Sequence, residues 1–216
     1  MRAIVTLRPT LLLASAFAPE ARPFRESDLS ACVFEVRIEE VGVGLVTSAV
    51  RTTRLLLEHR PSALLFAGTC GAYPGAPYAI GDVIAATHGV LADPSAISRC
   101  AHVPAILGAR SLDLGGALTD ALLAAGAKPA IVATTLSVTT APELASKLAA
   151  ATHASVEHLE AQSVAAACAE LGVPCAIVLG VANAVGASSH AEWRANHARV
   201  SAIVGALVLS ALRSGR

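Results

Sequence analysis

Neither sign of charge predominates in this chain, and charged residues are scarce. Sixteen Lys and Arg residues balance sixteen Asp and Glu residues, and charged residues make up 15% of the sequence. Aromatic residues account for only 3%. Nucleic-acid binding usually depends on a cluster of basic side chains or a platform of aromatic rings, and the sequence contains neither. We therefore expect no nucleic-acid partner and predict a small-molecule ligand.

Cysteine is too sparse and too irregularly spaced to form a framework. The five cysteines are odd in number and include no C-x-x-C pair; they are Cys32, Cys70, Cys100, Cys168 and Cys175. This pattern argues against a set of disulfides and against a zinc site. We expect buried thiols in a reducing cytosol. His158 and His190 have no partners at metal-ligand spacing, so no metal and no other cofactor is predicted.

Long apolar runs are also missing, although apolar residues make up 54% of the sequence. A membrane-spanning helix needs roughly 20 consecutive apolar residues. The longest uncharged run, residues 61–81, is interrupted by glycine and proline, and residues 201–212 amount to about three helical turns. We therefore expect no membrane span. The apolar side chains must instead be buried in a covered parallel sheet and in a subunit interface, which predicts a homodimer or larger homo-oligomer.

The beginning of the chain allows two interpretations. Arg2 and Arg8 precede a run of apolar and small residues, 11–16, as in a secretory signal. A buried first strand that ends in a functional loop explains the same residues. We favour the strand, because cleavage of a signal here would remove Glu20, a candidate catalytic residue.

Short apolar runs alternate with longer helical patterns along the whole sequence. Strands are predicted at residues 10–17, 33–43, 63–67, 83–87, 130–135 and 175–181. Helices are predicted at 46–59, 117–125, 142–151, 158–171 and 191–212, with a variable loop region at 93–112. In the first helix, the apolar stripe is expected to comprise Val46, Ala49, Val50, Thr53, Leu56 and Leu57. This order predicts one three-layer α/β/α domain, doubly wound around a mostly parallel, mixed and twisted sheet.

Four segments place polar or small residues at strand ends or at a helix start. They are Ala-Phe-Ala-Pro-Glu-Ala at 16–21, the glycine turns at 41–44 and 68–72, Val-Glu-His-Leu-Glu-Ala at 156–161, and Val-Ala-Asn-Ala-Val-Gly at 181–186. Ligands of open parallel sheets gather at the carboxyl ends of strands. Each segment also has a simpler explanation: a solvated loop glutamate, ordinary turn glycines, acidic residues at a helix start, or a turn-forming asparagine.

In this order, the four segments resemble the nucleoside phosphorylase and nucleosidase superfamily over residues 11–212. Within the superfamily, the pattern resembles the hydrolytic members futalosine hydrolase and methylthioadenosine/S-adenosylhomocysteine nucleosidase. The resemblance implies that the chain cleaves the N-glycosidic bond of a purine nucleoside with water. Phosphorylases of the superfamily usually have glycine and arginine at the first segment, where this chain has Glu20.

The resemblance also assigns roles to the two acidic residues. Glu20 would orient the attacking water and accept its proton. Glu160 would hold the ribose hydroxyls and stabilise the positive charge that develops on the sugar as the bond breaks. Leu159 would pack against the sugar.

The remaining site residues are small or neutral. Thr69 would place a hydroxyl beside the sugar or the water, and Gly44 and Gly71 would form paired turns beside the sugar. Asn183 stands where adenine-specific relatives have aspartate. Its amide can both donate and accept hydrogen bonds, which suits a 6-oxopurine such as hypoxanthine.

Several residues depart from the family pattern and leave the substrate open: Leu45, Gln162, Ser163, Leu179 and Ala182. Two rival functions follow. The same fold could use phosphate as the nucleophile, or the chain could bind a nucleoside without catalysis. A nicotinamide-binding protein is a weaker alternative, because the 42–44 turn lacks the third glycine and the downstream acidic residue of that motif.

Overall fold

A computed structural model describes residues 8–104 and 111–214 of the chain. An eight-stranded sheet lies between helices on both of its faces. The strands are β1 (Thr10–Ser15), β2 (Glu35–Glu40), β3 (Ala63–Ala72), β4 (Val83–Leu91), β5 (Ser111–Asp113), β6 (Lys128–Thr134), β7 (Val156–His158) and β8 (Cys175–Ala184). The helices are α1 (Ala18–Arg25), α2 (Leu45–His59), α3 (Pro94–Ile97), α4 (Ala117–Ala124), α5 (Pro142–Thr152), α6 (Ala161–Glu170) and α7 (Ser189–Ser214).

The sheet is mixed and mostly parallel. Its strand order is β2-β1-β3-β7-β6-β4-β5, and β8 pairs with both β3 and β4. The pairings β1–β2, β1–β3, β3–β8, β4–β6 and β6–β7 are parallel, whereas β3–β7, β4–β5 and β4–β8 are antiparallel. The predicted α/β architecture with a mostly parallel sheet is therefore confirmed.

The first strand is buried on both faces. Leu12 and Ala14 pack into the apolar cluster on one side of the sheet, and Leu11 and Leu13 pack into the cluster on the other side. A strand covered on both faces shows a continuous apolar run rather than alternation. The prediction of a buried first strand is confirmed.

The structure corrects three predictions of secondary structure near the predicted site. Residues 18–25 form helix α1, which begins with Pro19 in its first turn, and not a loop. Strands β3 and β8 continue through Thr69 and Asn183, which were expected in loops. Residues 156–158 form strand β7 instead of the start of a helix. The short strand was missed because it contains too few residues to show a period.

The predicted apolar stripe of α2 is confirmed at Leu56 but wrong for most of its other residues. The buried residues of this helix are Ser48, Thr52, Leu55 and Leu56, which include two small hydroxyl side chains. By contrast, three of the predicted stripe residues are largely exposed: Val46 (73%), Val50 (65%) and Leu57 (59%). The helix packs on α6, whose side chains are mostly small. Small residues allow close packing there, so α2 turns its larger aliphatic side chains outward.

Helix α7 is longer than predicted. Within the described part of the chain, one helix, Ser189–Arg213, is long and apolar enough to cross a membrane. Its buried side chains Val200, Val204 and Val208 belong to or adjoin the core. A Cβ atom at Gly180 of β8 would lie only 2.2 Å from Val200 Cγ1, so the helix and the sheet are in direct contact. Packing against the sheet accounts for the apolar side chains on the buried face of the helix.

Two smaller expectations also need revision. The region 93–112, expected to be a loop, contains α3 and β5, and its residues 105–110 lie outside the described part of the chain. The cysteines are free thiols, but only Cys32, Cys70 and Cys168 are buried as expected, whereas Cys175 is partly buried and Cys100 is exposed.

Candidate active site

A cavity of about 420 Å³ lies beside the carboxyl ends of β3 and β8, between the first turns of α1, α6 and α7. Six of the seven predicted site residues line it: Glu20, Thr69, Gly71, Leu159, Glu160 and Asn183. The volume suits a small organic ligand. The seventh residue, Gly44, is not on the wall but holds Glu160 through its backbone N–H group.

Glu20 lies in the first turn of α1 and is only 4% exposed. Its Oε1 atom accepts hydrogen bonds from the backbone N–H of Thr69 at 2.9 Å and from the Thr69 hydroxyl at 2.7 Å. Its Oε2 atom is buried and has no hydrogen-bond donor among the described residues. A buried carboxylate oxygen without a donor is unfavourable unless a ligand or water supplies one.

Burial raises the pKa of Glu20 to about 7. The hydrogen bonds from Thr69 oppose this rise, and the negative charge of Glu160 adds to it. A carboxyl group with a pKa near neutrality can accept a proton more readily than an ordinary, solvated glutamate. Glu20 therefore has the properties of a general base.

Glu160 is the residue that precedes α6, and its side chain does not cap that helix. Its Oε1 atom accepts a hydrogen bond of 2.6 Å from Gly44 N, at the start of α2. Gly44 has a φ of +86°, a conformation that glycine adopts without strain. The carboxylate is thus held in the cavity by a backbone group from a distant segment, and the helix-start explanation does not account for its side chain.

His158 fixes the backbone around Glu160. Its Nδ1 atom accepts hydrogen bonds from Glu160 N at 3.0 Å and from Ala161 N at 3.1 Å. Since Nδ1 is an acceptor, the neutral ring carries its proton on Nε2. Burial lowers the pKa of His158, which favours this neutral form. The 3.3 Å approach of Nδ1 to Glu160 Oε2 is therefore not an ion pair.

A bulge in β8 places Asn183. Cys70 of β3 pairs with Val181, but the next residue, Gly71, pairs with Asn183, so Ala182 is the extra residue. A shift of one residue reverses the side of the sheet to which the following side chains point. Asn183 Nδ2 then donates to Ala184 O at 2.8 Å, and the side chain lies over Gly71.

Glu157 was not among the residues predicted for the site. This residue lines the cavity, and its carboxylate accepts three hydrogen bonds: Thr139 N to Oε1 (2.9 Å), Thr139 Oγ1 to Oε2 (2.6 Å) and Tyr73 OH to Oε2 (3.0 Å). Thr139 lies between Val138 and Thr140, which both line the cavity. Glu157 therefore anchors a segment of the cavity wall. A cross-segment hydrogen bond of this kind leaves no signal in the sequence.

Aromatic and aliphatic side chains form the rest of the wall. Trp193 and Phe17 have ring centroids 6.0 Å apart, and Val43 and Val138 also line the cavity. The indole of Trp193 stacks on His197 with centroids 4.5 Å apart. The cavity therefore combines a few polar groups with an apolar wall, as small-molecule sites usually do.

No Lys or Arg belongs to the cavity wall among the described residues. Within the same part of the chain, no group of three or more His, Cys, Asp or Glu residues is arranged to hold a metal ion. The polar groups that the cavity offers a ligand are carboxylates, an amide, hydroxyls and imidazoles.

The chain is 33% identical to a futalosine hydrolase from Thermus thermophilus over 170 residues, which cover 74% of each protein. The structure of a futalosine hydrolase from Helicobacter pylori has the same fold, with a TM-score of 0.82, 19% identity, and coverage of 94% of this chain and 97% of the other.

A 5′-methylthioadenosine/S-adenosylhomocysteine nucleosidase from Neisseria meningitidis is similar to the same degree. Its TM-score is 0.82 at 17% identity, with 95% of this chain and 99% of the other covered. The sequence profile of the phosphorylase superfamily matches residues 16–213, nearly the whole length. The chain therefore belongs to the phosphorylase superfamily.

Proposed function

We propose that this chain is an N-glycosidase that hydrolyses a purine nucleoside to the free base and the free sugar. The observation that carries the proposal is the convergence of Glu20 and Glu160 in one cavity, with the pKa of Glu20 raised to about 7. The 33% identity to a futalosine hydrolase supports the same class of reaction.

In the proposed reaction, the oxygen of water attacks C1′ of the ribose while the C1′–N9 bond breaks. The electron pair of that bond passes to the base, which takes up a proton from solvent, and Glu20 accepts the proton that the water loses. The absence of Lys and Arg from the described cavity wall supports water over phosphate, since a phosphate dianion in a cavity needs cationic partners.

Glu160 supplies the electrostatic part of the reaction. As the glycosidic bond stretches, positive charge develops on the sugar, and a buried carboxylate stabilises it more than it stabilises the neutral substrate. The Oε1 atom of Glu160 is held by Gly44 N. This leaves Oε2 to accept hydrogen bonds from the ribose hydroxyls.

We infer that the base is a 6-oxopurine and that Asn183 recognises it. One N–H of the Asn183 amide is used by Ala184 O. The second N–H can donate to O6 or N7, and the amide oxygen can accept from N1–H. An amide can also pair with adenine, accepting from its amino group and donating to N7, so the preference for a 6-oxopurine rests on Asn183 standing where adenine-specific members of the family have aspartate.

The test is a substrate panel of futalosine, inosine, methylthioadenosine, S-adenosylhomocysteine and adenosine, with released base measured by chromatography. We expect release of hypoxanthine from a 6-oxopurine nucleoside without phosphate, and free sugar as the second product. Glu20→Gln and Glu160→Gln should each lower kcat at least ~100-fold. Glu143→Gln, an exposed glutamate on α5, is the matched control and should retain wild-type kcat.

Three outcomes would contradict the proposal. Strict dependence on phosphate, with a sugar 1-phosphate as product, would identify a phosphorylase. Tight binding of inosine without base release would identify a nucleoside-binding protein. Wild-type kcat in Glu20→Gln or Glu160→Gln, with unchanged circular dichroism, would remove the assigned roles.

We also infer that the chain forms a homodimer through α2 and acts in the cytoplasm, where its free cysteine thiols stay reduced. The exposed side chains Val43, Val46, Val50 and Leu57 form an apolar surface on and beside this helix, and Val43 also lines the cavity. Because the net charge is zero, two copies do not repel each other through their overall charge. A second copy on a two-fold axis would cover this surface on both subunits at once.

Light scattering tests the dimer. The double variant Val46→Asp/Val50→Asp should convert the protein to monomers. The control is Leu171→Asp, at a partly exposed leucine that follows α6, and it should leave the molar mass of the dimer unchanged. A wild-type monomer at micromolar concentration would overturn the inference.

A further inference from the structure

The hydroxyl group of Thr69 lies between two fixed partners. Trp193 Nε1 donates to Thr69 Oγ1 at 3.0 Å, and Thr69 Oγ1 donates to Glu20 Oε1 at 2.7 Å. An indole N–H group is only a donor, and a hydroxyl has a single proton. The direction of both hydrogen bonds is therefore set by Trp193: the hydroxyl must accept from the indole and can donate only to the carboxylate.

This arrangement makes the two oxygens of Glu20 unequal. Oε1 also accepts from Thr69 N at 2.9 Å, so it has two donors, whereas Oε2 has none among the described residues. Gly68 leaves space next to Oε2, because a Cβ atom there would lie 3.2 Å from it. Oε1 is thus the anchored atom, and Oε2 is free to bind a ligand.

We propose that Trp193 is a positioning residue for Glu20. Its hydrogen bond to the Thr69 hydroxyl directs that hydroxyl to Glu20 Oε1, so Oε2 is the atom that takes the proton from the nucleophile. The hydrogen-bond chain Trp193–Thr69–Glu20 is called the relay below. The inference rests on the proposed role of Glu20 as general base. Donation by the indole also polarises the Thr69 hydroxyl, which strengthens its hydrogen bond to the carboxylate. Trp193 therefore acts on the basicity of Glu20 without touching it.

Other titratable groups also lie near Glu20, and their influence on its pKa is separate from that of Trp193. Those that share its cavity are Cys70, Glu157, His158, Glu160 and His190. On the helix of Glu20 itself, the charged residues pair elsewhere, as shown by the ion pairs Arg22–Glu26 and Arg25–Glu40. On α7, His197 stacks on the ring of Trp193, at the end of the relay away from Glu20.

The test is the pH dependence of kcat/KM in Trp193→Phe, which keeps an aromatic ring and loses the N–H donor. A weaker hydrogen bond from Thr69 stabilises the Glu20 carboxylate less, so the acid limb should move to higher pH by about half a unit. On the acid limb, kcat/KM relative to the alkaline plateau of the same variant should fall about threefold. Thr69→Val should shift the limb in the same direction by at least as much.

The double variant Trp193→Phe/Thr69→Val separates a relay from a packing effect. If Trp193 acts through the hydroxyl, its replacement adds no further shift once the hydroxyl is gone. Thr69→Ser, which keeps a hydroxyl, should have its acid limb at the same pH as the wild-type protein. His197→Phe, which keeps the stacked ring but cannot titrate, should leave the limb in place.

An unchanged acid limb in Trp193→Phe, or equal shifts in the presence and absence of the Thr69 hydroxyl, would overturn the proposal. Glu20→Gln distinguishes this failure from failure of the proposed function. If Glu20→Gln is inactive while Trp193→Phe titrates as wild type, only the relay is wrong. If Glu20→Gln is fully active, the assignment of the base is wrong.

Discussion

The side chain of Asn183 lies directly over Gly71, and a Cβ atom at Gly71 would come within 2.8 Å of Asn183 Nδ2. The same Cβ would lie 2.9 Å from Val185 Cγ2. Such contacts are too short for unstrained packing, so glycine at this position is what allows the amide to reach the cavity.

Gly71→Ala is therefore expected to displace Asn183 and weaken recognition of the base. We predict a ~5- to 30-fold loss in kcat/KM for the nucleoside, because loss of one well-placed hydrogen bond in a binding site costs about 1–2 kcal/mol. Gly115→Ala, away from the cavity wall, is the control. Wild-type kcat/KM in Gly71→Ala would show that Asn183 does not need its observed position.

The pH–rate profile should report the carboxyl group of Glu20. Burial raises the pKa of Glu20 to about 7, so the basic form predominates only above this pH. We expect kcat/KM to rise tenfold per pH unit on the acid side and to level off near pH 7, as kcat/KM reports ionisations of the free enzyme. An acid limb near the ordinary glutamate value of 4.5 would contradict the burial of this group.

The same pKa shift predicts how Glu20→Gln changes stability. Because the folded-state pKa of Glu20 is raised, the native protein binds more protons than the unfolded chain between pH 4.5 and about 7. The contribution of Glu20 to stability is thus present below this window and is lost as pH rises through it. Glu20→Gln removes the penalty of a buried charge at alkaline pH, which for a pKa raised from 4.5 to about 7 is on the order of 3 kcal/mol.

Denaturant unfolding at about pH 5 and pH 8.5 measures this effect. The free energy of unfolding of Glu20→Gln relative to wild type should be higher at the alkaline pH than at the acid pH. Glu143→Gln, on an exposed surface, should show no such difference. A stability difference independent of pH would mean that Glu20 titrates alike in the folded and unfolded states.

Glu157→Gln should loosen the cavity wall around Thr139. Gln offers one acceptor oxygen where the carboxylate has two, so at least one of the donors Thr139 N, Thr139 Oγ1 and Tyr73 OH loses its partner. We expect a loss of about 1–3 kcal/mol in the free energy of unfolding, together with a raised KM. Chemical denaturation and steady-state kinetics measure the two effects.

Tyr73→Phe removes only one of these hydrogen bonds and provides a graded comparison. It should destabilise the protein less than Glu157→Gln and leave KM closer to wild type, because both contacts with Thr139 remain. If both variants have wild-type stability and KM, Glu157 does not anchor the 138–140 segment.

Several elements near the site were predictable because their signals are local. The buried β1 strand shows a continuous apolar run, and the small residues Gly68 and Gly71 mark the part of β3 beside the cavity, although the strand continues to Ala72. The α1 helix was not predictable in the same way. It is short, contains Pro23 in its interior, and has no side-chain cap, so its sequence resembles a loop.

The exposed face of α2 shows where local patterns mislead. Apolar periodicity predicted that Val46 and Val50 face the core, but close packing on α6 selects the face with Ser48 and Thr52. The Ser48 and Ser163 hydroxyls are 2.6 Å apart, so part of the polarity of that face is satisfied inside the protein. The sequence of α2 alone contains no information about its partner helix.

The amino-acid sequence by itself determined the α/β class, the types of chemical group available, and the segments that carry Glu20, Glu160 and Asn183. Tertiary structure decided their arrangement. The bulge at Ala182, the Gly44–Glu160 hydrogen bond and the Trp193–Thr69–Glu20 chain join positions far apart in the sequence. The reason is physical: propensity and periodicity act over a few neighbouring residues, whereas strand register, burial and the resulting pKa of Glu20 depend on contacts that form only when distant segments pack together.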